Sequence, residues 1–226
     1  MSLFAIADLH LSLGAQKPMD VFTGWEDYVS RLERNWRKVV KPQDTVVVAG
    51  AISWGMKLEE TARDFAFLDS LPGTKLLLKG NHDYWWGTRR KMEEYFRSSG
   101  YDTLQILFNS AVRVGAFAVC GTRGWFYDDG GDQTVLLREA GRLRASIEEA
   151  KKLGGEPVVF LHYPPVCGGA VCEELFAILT EYGIRRCYYG HLHGPAVRRA
   201  VTGPFRDVQF RLISCDAVGF LPVLVG

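Results

Sequence analysis

The chain has 226 residues, 47% hydrophobic and 23% charged, with a formal net charge of +1. Those proportions exclude disordered and fibrous classes. With no basic run longer than Arg89, Arg90 and Lys91, the electrostatic footprint of a duplex-DNA binder is absent too. The length suits a single α/β domain over residues 1–226. No apolar stretch approaches a membrane span, and MSLFAIADLH lacks the basic region and cleavage site of a signal peptide, so a cytoplasmic location is expected.

In chain order, Leu3 to Ala7 is an apolar run that predicts a strand covered on both faces. Trp25, Val29, Leu32, Trp36 and Val39 then fall on one helical face, with Thr23 and Glu26 spaced as a capping box. A second buried strand is predicted at Thr45 to Ala49. Leu58, Ala62, Phe65 and Leu68 mark a helix stopped by Pro72 and Gly73. A third strand follows at Lys75 to Leu78 and a helix over Thr88 to Arg97. Leu104 to Trp125 alternates in short strands with no helix between them, which reads as an antiparallel meander.

The loop from Arg123 to Thr134 is the longest irregular stretch and is expected to wall a site. Helices at Leu136 to Leu153 and Val171 to Tyr182 alternate with strands at Pro157 to Leu161 and Arg186 to Tyr189. Val208 to Val218, with the tail to Val225, again looks antiparallel. The pattern predicts two packed sheets with helices outside. Five cysteines without a CxxC pair argue against a disulfide framework or a zinc ribbon, and fit reduced core residues.

All five histidines stand at predicted strand exits: His10 in ADLH, His82 in KGNHD, His162 in FLHYPP, His191 and His193 in YGHLHG. In α/β sheets functional side chains gather beyond the carboxyl ends of strands, so these residues can converge although scattered in sequence. Asp8 lies two residues before His10, and Asn81 precedes His82. Imidazole mixed with carboxylate and amide oxygen suits manganese, iron or zinc better than calcium or a thiolate-held cluster. Alternate residues of an extended GHLH point opposite ways, so His191 and His193 can serve two ions.

The series DLH, a strand ending in glycine, GNHD, a lone histidine and GHLH resembles the calcineurin-like metallophosphoesterase superfamily. The resemblance implies an α/β (α+β) four-layer sandwich of two mixed β-sheets flanked by helices, with two divalent metal ions. It implies that Asp8, His10 and His193 hold one ion and Asn81, His162 and His191 the other. His82 would face the substrate, with Asp83 orienting its ring. Two cations roughly 3.5 to 4 Å apart lower the pKa of a shared water and bind phosphoryl oxygens, so the implied reaction is hydrolysis of a small phosphate mono- or diester. His82 would protonate the departing alkoxide or stabilise its charge. A dinuclear amidohydrolase would also need mixed His and Asp ligands; GNHD and GHLH speak against it by resemblance.

One position departs from that pattern. In the superfamily the second strand ends in Gly-Asp, and the aspartate bridges the ions; here Gly50 is followed by Ala51. Two unit charges 4 Å apart repel by about 4 kcal/mol at an effective dielectric near 20, and two dications by roughly four times that. At least one ion is therefore expected to bind weakly. Three readings follow: an enzyme inactivated by substitution, a variant that works with a weakened site or borrows a carboxylate from Asp128, Asp129 or Asp132, and a degenerate scaffold that binds a partner. Aromatics crowd the motif loops (Trp54; Tyr84, Trp85, Trp86; Trp125, Phe126, Tyr127), either to stack on substrate or to pack the loops. Arg123 is either a phosphate contact or an ordinary surface charge.

Overall fold

Strands whose residues are buried on consecutive positions must be covered on both faces, and in the computed structural model, which describes residues 1–126 and 132–226, they are. The first sheet has the order β13-β1-β2-β3-β4. Its strands β1 (Leu3–Ile6), β2 (Thr45–Ala49), β3 (Thr74–Leu78) and β4 (Leu104–Ile106) run parallel, and β13 (Val223–Leu224) closes it antiparallel to β1. The second sheet has the order β11-β12-β10-β7-β6-β5. There β6 (Phe117–Thr122), β7 (Glu156–Leu161), β10 (Arg186–Tyr189) and β12 (Val208–Leu212) are parallel, with β5 (Ala111–Val114) and β11 (Gly203–Phe205) antiparallel at its edges. A small hairpin, β8 (Val166–Cys167) with β9 (Ala170–Val171), stands apart.

Side-chain alternation assigns each strand face to a layer. Ala5, Val47 and Leu76 meet Val119, Val158 and Phe160 between the sheets. Phe4, Ile6 and Val48 instead meet Leu32 and Trp36 of α1 (Tyr28–Val39), Phe65 of α2 (Ala62–Ser70) and Phe96 of α3 (Arg89–Ser99). On the far side, Val159, Leu161 and Cys187 pack on Leu143 and Ile147 of α4 (Gln133–Leu153) and on Leu175 of α5 (Glu173–Glu181). The result is an α/β fold of four layers, two mixed sheets flanked by helices. All five cysteines are free and buried in it.

The sheets are also stitched to each other at one end. Ala7 N donates to Ile213 O at 2.8 Å and Cys215 N to Ala7 O at 2.9 Å. Because the central strands are parallel, that end carries the exits of β1, β2, β3, β7 and β10.

Three local expectations are corrected. Leu104 to Ile106 is not part of a meander: α3 carries the chain back, so β4 enters the first sheet parallel to β3, and only β5 and β6 form an antiparallel hairpin. Its polar–apolar alternation reports one exposed face, not a direction. Val208 to Leu212 is likewise parallel to β10, the antiparallel pairing being confined to the flanking strands. Finally, α1 begins at Tyr28 with Asp27 in a left-handed conformation and no side-chain cap. Glu26 accepts from Gly24 N instead, at 3.0 Å, so residues 12–27 form a turn-rich loop rather than a capped helix start.

Lys75 is fully buried on β3, its Nζ donating to Leu71 O at 2.6 Å. Burial brings it down from 10.5 to about 8. The folded chain therefore releases this proton before the unfolded chain does, and stability should rise between about pH 8 and 10.5, by on the order of 3 kcal/mol. Urea unfolding of the wild type and Lys75→Met at pH 7.5 and pH 10 should show that rise in the wild type alone; equal pH dependence in both would refute it.

Candidate metal centre

The loop leaving β1 runs beside the loop leaving β2, with Asp8 N bonded to Gly50 O and His10 N to Ala51 O, both at 2.9 Å. The path is strained: Asp8, His10, Ala51 and His191 all have positive φ, at 62°, 46°, 49° and 73°. Such conformations cost roughly 1–3 kcal/mol each for non-glycine residues and cluster at functional sites. Glycines let these loops meet. A Cβ on Gly80 would lie 2.0 Å from Ala51 N, and one on Gly190 only 2.4 Å from Asp8 Oδ2.

These contacts bring Asp8, His10 and His193 together across the seam between the sheets. Asp8 Oδ1 lies 3.3 Å from His193 Nε2 and 4.0 Å from His10 Nε2, and the two imidazole nitrogens are 3.2 Å apart. Asp8 is buried; its Oδ2 accepts from His191 N at 2.8 Å, while Oδ1 has no hydrogen-bond partner. A buried, unpartnered carboxylate oxygen facing two ring nitrogens fits a divalent cation. Among the described residues this trio is the one cluster of His, Cys, Asp or Glu side chains close enough to hold an ion.

The electrostatics follow from burial and proximity. Burial by itself would raise Asp8, but the imidazoles of His193, His162 and His10 more than offset it and hold the carboxyl well below the usual range. Burial takes His10 down to about 3, despite Asp8. It works against His193 as well, yet Asp8 and Asp216 bring that ring up to about 10. Asp216, which sequence reasoning missed, contacts this ring: its Oδ1 sits 2.9 Å from His193 Nδ1 and its Oδ2 accepts from Gly194 N. The carboxylate fixes which nitrogen of His193 faces Asp8. The available signal was its place just after β12, a strand exit like those of the histidines.

The second expected ligand group also converges. Burial keeps His162 neutral, near 3, so its ring carries one proton. Its Nδ1 lies 3.1 Å from Ala49 O, which can only accept, and Nε2 lies 2.6 Å from Asn81 Oδ1. One ring proton can serve only one of these two oxygens; in the tautomer that serves Ala49, Nε2 and Asn81 Oδ1 both present lone pairs to the same space, which suits a cation. The ring of His191 is 5.2 Å from that of His162, nearly perpendicular.

His82 borders the same cluster, its ring 4.5 Å from Trp54 and 5.5 Å from His10. Asp83 does not orient it. The Asp83 carboxylate accepts from Gly80 N at 2.7 Å, Ile52 N at 2.8 Å and Trp85 Nε1 at 3.1 Å, and His82 Nδ1 has no hydrogen-bond partner. The reason is geometric: Asp83 turns into the protein and braces two loops, where burial pushes it up to about 6 against those hydrogen bonds. The aromatics divide similarly. Trp85 packs on Phe65 in the core, whereas Trp54 stacks on His10 at 5.1 Å. Arg123 pairs with buried Glu139 and lies over the Trp125 ring. Asp132 caps α4 through Thr134 N, while Tyr127, Asp128 and Asp129 lie outside the described residues.

The chain belongs to the calcineurin-like phosphoesterase family, whose model matches residues 1–195. Among solved structures it is similar to a protein of unknown function, AQ665, from Aquifex aeolicus, with TM-score 0.55 and 13% identity over 99% of this chain and 95% of that one. It is also similar to the phosphopantetheinyl hydrolase PptH of Mycobacterium tuberculosis, with TM-score 0.55 and 16% identity over 94% and 88%. A third, TT1561 of Thermus thermophilus, has TM-score 0.54 and 12% identity over 84% and 81%. At these identities the likeness is one of fold. No curated protein matches the chain.

Removing the support of His193 should loosen the ion beside Asp8. Asp216→Ala is expected to weaken manganese or zinc retention about 10- to 100-fold, measured as metal content after graded chelation. Retention equal to the wild type would show that Asp216 has no such role.

Proposed function

We propose that this chain is a hydrolase of small phosphate mono- or diesters that works with two divalent ions, manganese, iron or zinc, and that Ala51 leaves its centre impaired. The observation that carries this reading is the orphaned Asp8 Oδ1, buried among His10 and His193 and 3.7 Å from His162 Nδ1. Asp8, His10 and His193 would hold one ion; Asn81, His162 and His191 would hold the other. When bound, such ions polarise the phosphoryl group and make a water acidic enough to be the nucleophile near neutral pH. His82, held below its ordinary value by burial, faces the substrate as a neutral ring able to hydrogen-bond the departing oxygen. Asp83 acts on the chemistry only by fixing the loop that carries Asn81 and His82.

The conformation of Ala51 supports the second part. It is 1% exposed and left-handed, with φ 49°. Alanine is disfavoured there, while aspartate and asparagine are several-fold enriched. The backbone is thus already shaped for a carboxylate. The cytoplasmic placement expected from the sequence is kept, supported by five unpaired cysteines; no helix among the described residues is long and apolar enough to cross a membrane.

Restoring the carboxylate separates the readings. Ala51→Asp should raise turnover of nitrophenyl phosphate mono- or diesters with manganese by about 100-fold or more, in line with the loss expected when a transition-state charge partner is missing. It should also lower the apo melting temperature, by adding a second buried carboxylate near Asp8, and enlarge the manganese-induced rise. Full activity in the unaltered chain would mean that Ala51 does not impair it. Inactivity of both forms would favour a scaffold that binds a partner.

A further inference from the structure

A cavity of about 550 Å³ opens directly beside the metal centre, with His10, His82 and His193 forming its inner wall. Its remaining walls are almost wholly apolar: Met19, Phe22, Trp25, Trp54 and Pro195, with Thr23 as the one neutral hydroxyl. Most of these come from the loop over residues 12–27, an irregular stretch long enough to be a binding element in its own right. The volume falls within the usual range for small-molecule sites. Phe22 is 55% exposed at its rim although nothing in the core requires it there.

We propose that this cavity is the leaving-group subsite and that it selects phosphate esters of an uncharged, ring-bearing aromatic alcohol. The inference rests on the phosphoesterase reading above and names its substrate class. In the reaction, water oxygen bonds to phosphorus, the P–O bond to the ring-bearing oxygen breaks, and that oxygen leaves with a proton. The inner wall is where the phosphoryl group belongs, because the unpartnered Asp8 oxygen and the His10 and His193 nitrogens converge there. The ring must then extend over Trp25, Trp54 and Phe22.

The lining excludes the main rivals. A sugar or polyol needs many hydrogen-bond partners, and outside the histidine wall the side chains of the lining offer the Thr23 hydroxyl and the indole N–H groups of Trp25 and Trp54, too few for it. Several aromatic rings around one space also make a cage for a quaternary ammonium group. Here, though, Lys17 Nζ already lies 4.6 Å from the centroid of Trp54, so a cationic leaving group would meet a like charge. A flexible alkyl chain would fill the apolar space but lose rotamer entropy that a planar ring does not.

Non-hydrolysable phosphonates test this without requiring turnover. Calorimetric titration of the manganese-loaded chain should show phenylphosphonate binding at least about tenfold more tightly than methylphosphonate, from burial of the ring. It should also bind more tightly than n-hexylphosphonate, which has the same carbon count, and than 2-(trimethylammonio)ethylphosphonate, the non-hydrolysable choline compound. Phe22→Ala, a truncation at an exposed position, and Trp54→Leu should each reduce the phenyl-to-methyl ratio by about threefold or more, with circular dichroism checking that each variant folds. Equal binding of phenyl- and methylphosphonate, a ratio unmoved by both substitutions, or tighter binding of the hexyl or choline compound would overturn the subsite while leaving the phosphoesterase reading intact. Failure of all four compounds to bind would overturn both.

Discussion

The carboxylate of Asp8 sits where the two sheets meet, and the centre depends on how it is held. One oxygen is tied to the other sheet by His191 N; the other faces imidazoles with no donor of its own. His193, which Asp8 and Asp216 hold protonated, supplies a counter-charge 3.3 Å away, and a buried carboxylate without one would cost several kcal/mol. The seam itself does not rely on that counter-charge, because backbone bonds between Ala7, Ile213 and Cys215 hold the sheets together. Main chain supplies the register, so side chains at the strand exits are released for a ligand.

A second tier of carboxylates makes this arrangement rigid without joining it. Asp83 gathers amides from the loops after β2 and β3. Asp64 does the same between Leu13 and Ser53, accepting from Leu13 N at 2.7 Å and from the Ser53 hydroxyl. Asp216 orients His193. Positive-φ residues at Asp8, His10 and Ala51 persist because these braces and the close glycine contacts over-determine the loops. The left-handed turn at Ala51 is thus held by backbone contacts rather than by its own side chain.

Much of the fold was legible locally. Consecutive burial in TVVVA and in the run after Met1 marked two-sided strands, and α4 and α2 fell where helical spacing put them. The convergence was legible as well: Asp8, His10 and His193, all at strand exits in the sequence, do meet in space. Direction was not: LQI alternates in the same way in a parallel as in an antiparallel pair, and only the α3 crossover decides. The start of α1 was also hidden, since Thr23 and Glu26 have capping spacing but Glu26 closes a turn on Gly24 instead.

The sequence by itself determined the periodicities of the layers, the residue types at the strand exits and the alanine that follows Gly50, all of which depend on residue type and short-range spacing. Tertiary structure alone decided which atoms face each other. Asp8 meets His193 from near the opposite end of the chain, Asp216 rather than a neighbour supports that ring, and Asp83 turns from His82 toward two loops. Those pairings follow from packing two sheets so that parallel strands end at one seam, a geometry set by the whole core and carried by no single segment.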